Sequence, residues 1–362
     1  MLDFKKTYNL PFKYEIPHYI EGFLKESILF SRWTKYFKRY LFIVLNRQKN
    51  LELFSILPKH KAILWINISA PSFGDSLMDL SSRVLLEGRN IDLFTTKNIA
   101  DIYSTDKKFN NVYSNEEIVP RNKYDLVIVD SYSSRSIKVK CKIAPLTSFI
   151  GMYGYFNGPE VNRVLFSFHQ MNNLLHYYKS EKEINSLART SISIGRADQD
   201  IIDQINLPVN YIAIVLGGEW EYRTYNNWDK VIKNILEKNK HLNIVLLGSE
   251  NANLIAKKLF VQFSSANIFN YVAKYSFNQT VQIISLADVL LCCDGGLMHA
   301  ANSLNKVVIP LFARLTPEMQ LTDCVNAFPL FDDFDVNNIT TENVIEKYYE
   351  ATNFVDNHPQ GE

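Results

Sequence analysis

The sequence predicts an α/β protein made of two successive doubly wound units of parallel sheet. Three observations carry this. Short apolar runs, KAILWINI (61–68) and YIAIVLG (211–217), each lead through a glycine-bearing loop into a helical segment and then another apolar run. The connections are short, as β-α-β units require. The apolar periodicity breaks between about 185 and 208, around ARTSISIGRADQD, and strand-helix alternation restarts beyond it.

Composition fits this reading. The chain has 362 residues, enough for two ordinary domains, with 47% hydrophobic and 21% charged residues. A net charge of +1 gives no global reason to expect nucleic acid. Cys141, Cys292, Cys293 and Cys324 form no CxxC pair and no zinc spacing, so they read as reduced thiols. The sequence contains no apolar run near the ~20 residues of a spanning helix. MLDFKKTYNLPFKYE lacks the apolar core of a signal peptide, so a cytoplasmic location is expected.

In chain order, residues 22–50 come first, with seven Lys/Arg and one acidic residue. At about 100° per residue, Lys25, Arg32, Lys35, Lys38 and Arg39 share one side of a helix. Leu29, Trp33, Tyr36, Phe37, Tyr40 and Val44 share the other. Such a basic amphipathic helix either lies on an anionic membrane surface or packs on its own domain with a solvated basic face. After the strand at 61–68, SAPSFGDS (69–76) is a loop, and Leu77, Leu80, Val84 and Leu85 give 77–88 helical spacing, with Gly88 placed to stop it. NIDLFTT (90–96) and YDLVIVDSY (124–132) are strands, the latter ending in Asp130. Residues 140–190 are aromatic-rich and less regular.

The second half reads strand, glycine loop, helix over 210–239, and repeats that unit over 242–260. NIFNYVA (267–273) is a short strand. Another strand ends at Asp294, a helix begins at Leu297, and KVVIPLFA (306–313) is a further strand. A closing helix spans 340–352, with Thr341 as its cap and Glu342 in its first turn.

Four strand-to-helix loops carry candidate chemistry. In the first, Ser72, Gly74 and Asp75 precede a helix, and Asp75 is either a helix cap or a carboxylate poised as general base. In the second, Gly217-Gly218 allows close backbone approach and Arg223 could pair with a phosphate, although the loop is neither a Walker A sequence nor GxGxxG. In the third, Glu250 follows a strand end, where an acid can meet a ribose hydroxyl or cap a helix. In the fourth, CCDGGLMH (292–299), Gly295 and Gly296 open a helix whose first amides and positive dipole end suit an anion. Asp294 would then bond loop backbone or a ligand hydroxyl. His299 would reach a phosphate or pack beneath the loop, and the adjacent cysteines read as core.

These blocks resemble glycosyltransferase family 9, the ADP-heptose:lipopolysaccharide heptosyltransferases. CDGGLMHAANSLNKVVIPLF is similar to the family's aspartate-glycine-histidine block, with Gly295 where Thr or Ser is usual. SAPSFGDSLMDLSSRVLL, VLGGEWEYRTYNNW and LLGSENANLIAKKL resemble three further blocks in the family's order. The resemblance implies a GT-B fold, two Rossmann-like doubly wound domains facing a central cleft; the N-terminal basic helical extension, read from its charge spacing, has no counterpart in the shortest family members. The implied division is 1–55 for the extension, 56–195 for an acceptor-binding domain and 196–362 for a nucleotide-sugar-binding domain.

It also implies transfer from ADP-heptose, without a metal or cofactor, to a lipid-linked core oligosaccharide. The reaction would occur at the cytoplasmic face of the inner membrane, with anionic lipid contacted through 22–50. Asp75 becomes the base, and Ser72, Gly74 and His169 acceptor contacts. Gly217, Gly218, Arg223, Glu250, Asp294, Gly295, Gly296, Leu297 and His299 become donor contacts. A transferase using another nucleotide sugar, for capsule, O-chain or protein glycosylation, and a non-catalytic nucleotide-sugar-binding scaffold are the alternatives.

Overall fold

The computed structural model describes residues 9–10, 29–158 and 160–358. Two compact units divide the chain, the first ending at Ala188 and the second beginning at Arg189. Each is a parallel α/β unit. In the first, β1 (Ala62–Asn67), β2 (Asn90–Thr95), β3 (Asn111–Tyr113), β4 (Leu126–Val129) and β5 (Phe149–Gly151) form one sheet in the order β3-β2-β1-β4-β5. Ile63, Leu64, Trp65 and Ile66 of β1 are all buried, as expected of a strand covered on both faces. The order reverses between β1 and β4, and there the Rossmann rule expects a ligand, beyond the strands' C-terminal ends.

The helix after β1 begins earlier than the spacing predicts. It spans Phe73–Asp79, with Ser72 as its N-cap. A 3₁₀ segment, Ser81–Leu85, follows. Asp75 is therefore a residue of the first helical turn and caps nothing. The aromatic-rich stretch supplies helix Arg163–Leu175, buried on nearly all sides over 166–171, with Phe166, Phe168, Met171 and Leu174 in the core.

The basic extension enters the described residues as helix Leu29–Leu45; Lys25 and the rest of 22–28 lie outside them. It docks through the side that carries Arg32, Tyr36, Arg39 and Ile43. Ile43 joins the core of the first unit, Arg32 is buried, and Tyr36 lies 4.9 Å from Tyr155, ring to ring. Arg39 donates to the Phe156 carbonyl at 2.6 Å. Trp33, Phe37 and Val44 are exposed, so the side that carries them does not pack on its own domain, one of the two readings of this helix. The docking face is thus the edge where tyrosines meet arginines: the loop carbonyls of Gly154 and Phe156 accept from Arg39, and the Asn157 side chain donates to the Arg32 carbonyl at 2.8 Å.

In the second unit, β6 (Tyr211–Val215), β7 (Asn243–Leu247), β8 (Ile268–Asn270), β9 (Val289–Cys293), β10 (Val307–Ala313) and β11 (Leu330–Asp332) run in the order β11-β10-β9-β6-β7-β8. The reversal falls between β6 and β9. The helix after β9 is Gly296–Ser303, capped by Gly295, one residue earlier than predicted. The closing helix is Thr341–Asn357, and its cap is Thr340, which accepts from the Asn343 amide at 3.2 Å. Among the described residues, no helix is long and apolar enough to cross a membrane.

Candidate active site

In the first unit the site is built at the β1/β4 switch. Ser72 both caps and grips: its hydroxyl accepts from the Asp75 amide at 3.2 Å and donates to Asp75 Oδ2 at 2.6 Å. An acid in the first turn also answers the positive end of the helix dipole. The loop leading there is pinned by Asp130, at the end of β4. This buried carboxylate accepts from the amides of Ile68 at 2.9 Å and of Ser69 and Ser131 at 2.6 Å, and from the Ser136 hydroxyl at 2.5 Å. Burial raises its pKa, while those four donors favour the charged form.

Arg163 completes the cluster. Its Nη1 lies 3.5 Å from Asp75 Oδ1. Its Nε and Nη2 bond Asp79 bidentately, both at 2.9 Å. The Tyr153 hydroxyl donates to the same Asp79 at 2.7 Å, and the guanidinium lies 5.5 Å from the Tyr153 ring centre. Burial, then the Asp79 charge, hold the Tyr153 phenol well above its ordinary pKa, so it stays a donor. Beside this cluster opens a cavity of about 220 Å³, lined by Arg39, Asp79, Asp130, Tyr153, Glu160 and Arg163.

Sequence reasoning did not find Asp79, Tyr153 or Arg163. Asp79 stands one helical turn after Asp75, a visible i,i+4 carboxylate pair. Arg163 is 84 positions from Asp79, and nothing local connects them. Of the expected acceptor contacts, Ser72 and Gly74 flank Asp75. His169 is elsewhere: it is buried on the inner face of its helix, with Asn185 as partner, and does not line the cavity. Burial lowers its pKa to about 4.

In the second unit the loops after β6 and β9 meet across the reversal. Arg223 closes the 3₁₀ turn Glu221–Arg223, and its Nη1 lies 3.2 Å from Asp294 Oδ2. His299 Nε2 lies 3.8 Å from Asp294 Oδ1. Asp294 is thus anchored by a cation and an imidazole. Its backbone amide donates to the Leu311 carbonyl of β10 at 3.0 Å. Arg314 adds a second cation: it stands 3.7 Å from the Tyr222 ring centre, which Arg223 approaches from 5.5 Å. Its φ of 68° is a left-handed conformation rarely taken by a long side chain.

The glycines differ in purpose. A Cβ at Gly218 would lie 2.5 Å from the Arg223 carbonyl, so only glycine lets that turn fold back. At Gly295 the backbone is extended and a Cβ would meet nothing within 4 Å. Gly217 sits beside Asn251, whose amide donates to Gly218 O at 2.8 Å. Glu250 is exposed at the start of the next turn. Leu297 is half-buried against the apolar cluster under the loop. Cys292 and Cys293 are core residues; burial pushes the Cys293 thiol up to about 12 and holds the Cys292 thiol well above its ordinary value.

Two parallel Rossmann-like units with polar clusters at both switch points give the architecture of the GT-B fold. Residues 156–326 match the family model described as Glycosyltransferase family 9 (heptosyltransferase), and the resemblance read from the sequence blocks stands. No curated protein sequence matches the chain. Among solved structures it is similar to E. coli ADP-heptose LPS heptosyltransferase II, with 17% identity and a TM-score of 0.64 over 82% of this chain and all of that one. A family 9 glycosyl transferase from Veillonella parvula gives 12% identity and a TM-score of 0.66, covering 82% of this chain and 98% of that one. E. coli heptosyltransferase WaaC with ADP gives 16% identity and 0.61, over 81% and 98%. At these identities the likeness is one of fold.

Proposed function

We propose that the protein transfers a heptose or related sugar from an ADP-sugar to an inner-core lipopolysaccharide or lipooligosaccharide acceptor, with Asp75 as general base. The observation that carries this is the Arg223–Asp294–His299 cluster at the β6/β9 switch point, inside the segment matched by the heptosyltransferase family. Two of the similar structures are named as a heptosyltransferase for ADP-heptose and one bound to ADP, which favours the adenine nucleotide.

Transfer breaks the bond from the sugar's anomeric carbon to the diphosphate and forms one to the acceptor oxygen. The acceptor's proton passes to Asp75, and ADP leaves. Charge grows on the leaving diphosphate, and the cations of Arg223 and Arg314 with the amides at the start of helix Gly296–Ser303 are suited to receive it. Asp294 orients Arg223 and bonds a sugar or ribose hydroxyl. In the first unit, the cavity lined by Arg39, Asp79, Tyr153, Glu160 and Arg163 offers cations, carboxylates and a phenol that suit the hydroxyls of a sugar acceptor. Such an acceptor is lipid-linked, which sets the reaction at the cytoplasmic face of the inner membrane.

Asp75→Asn tests the assignment. Turnover should fall by about 10²–10⁴, the range for loss of a general base, with donor still raising the melting temperature as in the wild type. Wild-type turnover in the variant removes Asp75 from the chemistry. The open space at Gly295 favours one second reading, a donor with a different sugar. A thermal-shift panel of ADP-, UDP- and GDP-sugars separates the two.

A further inference from the structure

Helix Leu29–Leu45 leaves a continuous apolar stripe uncovered. Trp33 is 68% exposed, Phe37 59% and Leu45 71%, and Leu41 and Val44 lie between them on the same side. At about 100° per residue these five span little more than a third of the helix circumference. The opposite side is spent on docking through Ile43, Arg32, Arg39 and Tyr36. The stripe therefore cannot serve the core of its own unit.

Its surroundings select a partner. Lys35 and Lys38 are exposed, Lys38 at the stripe's edge. Between stripe and body runs a groove of about 410 Å³, lined by Lys35, Lys38, Leu41, Leu45, Ser133 and Ser134. Leu146, 86% exposed, lies beyond the helix end, where the Pro145 carbonyl accepts from Gln48. An aromatic and aliphatic stripe with lysines along its border matches the boundary between acyl chains and anionic headgroups.

We propose that the first unit docks on an anionic bilayer by inserting Trp33, Phe37, Leu41, Val44 and Leu45 among the lipids, with Lys35 and Lys38 on the headgroup phosphates. The helix is then at once an integral part of the unit and its membrane foot. Arg39 has a separate duty: it lines both the lipid-side groove and the cavity beside Asp79 and Arg163. Docking thus sets the acceptor cavity one arginine away from the headgroup layer, as a short lipid-linked sugar requires. That last step rests on the transferase reading; the docking itself does not.

The test uses the full chain, without donor, and vesicles of phosphatidylglycerol and phosphatidylethanolamine. Wild-type protein should float with them and bind vesicles of phosphatidylcholine alone more weakly. F37E/L41E should lower partitioning on the order of a hundredfold at any ionic strength. K35E/K38E should weaken it mainly at low salt. In a W220F background, Trp33 fluorescence should shift to the blue and be quenched by lipids brominated in the upper acyl chain, a readout independent of the glutamate variants' folding. The proposal is overturned if the wild type does not float at low salt, if F37E/L41E binds as well as the wild type, or if Trp33 is not quenched. It is also overturned if F37E/L41E turns a wild-type dimer into monomers, which would give the stripe to a second copy. Loss of transfer activity with vesicle binding intact would instead count against the transferase reading alone.

Discussion

Asp79→Asn is the sharpest test of how the first unit holds its candidate base. Asp79 receives three hydrogen bonds, two from Arg163 at 2.9 Å and one from Tyr153 at 2.7 Å. The substitution keeps the shape and removes the charge. Orphaning one member of a buried ion pair costs about 3–5 kcal/mol. Arg163 keeps 19% of its side-chain exposure and has Asp75 at 3.5 Å, so solvent and a second carboxylate take up part of that loss, leaving about 2 kcal/mol. For a unit of this size that lowers the melting temperature by about 4–8 °C.

The functional consequence follows from the same distances. Released from Asp79, Arg163 closes on Asp75 and occupies a carboxylate oxygen that the acceptor hydroxyl needs. Turnover should fall by about tenfold, with donor affinity unchanged. Replacing the arginine as well, in D79N/R163M, removes the orphaned charge and should restore most of the stability lost in D79N. Thermal unfolding and transfer kinetics of the three proteins suffice. A D79N protein that melts within about 1 °C of the wild type, or a double variant less stable than D79N, would refute the view of Asp79 as the clamp on Arg163.

Two further predictions concern positions with opposite tolerances. Gly295→Ser meets open space in an allowed backbone conformation and gains an N-cap hydroxyl, so chemical denaturation should show a gain of about 0.5–1 kcal/mol, while the donor-sugar preference in the thermal-shift panel changes. A stability loss there would mean the space is not open. His169 has its pKa lowered to about 4 by burial, so the unfolded chain binds the proton more readily between that value and the ordinary 6.5. Stability should therefore fall as pH drops through this window, by about 2 kcal/mol after allowance for partial solvent screening, and level off below it. H169Q should lose this part of the pH dependence; an unchanged slope would show that His169 is not its source.

What the sequence revealed divides by range. β1, β2, β6, β7, β9 and β10 are apolar runs long enough to announce themselves. β3, β5 and β11 have three residues each and no apolar run around them; β8 is as short, but it lies within NIFNYVA and was legible. Strand-end chemistry was equally visible, because a glycine or acid after a buried strand is a local event: Asp75, Gly218, Asp294 and Gly295 all stand where the loops put them. The partners of those residues were not visible. Arg163 comes from a helix in the irregular aromatic stretch, and Arg314 from a loop after β10, and only the two sheet reversals bring them to Asp75 and Tyr222.

The basic helix shows the other limit of periodicity. Its apolar and basic sides are legible in the residue spacing, yet the side that the body takes is not. Apolar spacing ranks the sides of a helix by their affinity for an apolar surface, and here a polar surface was on offer. The carbonyls of Gly154 and Phe156 lie where the helix docks, and an arginine with tyrosine neighbours answers them better than a tryptophan could. The apolar side was then left uncovered by its own unit, with Trp33, Phe37 and Leu45 exposed along it and lysines at its border.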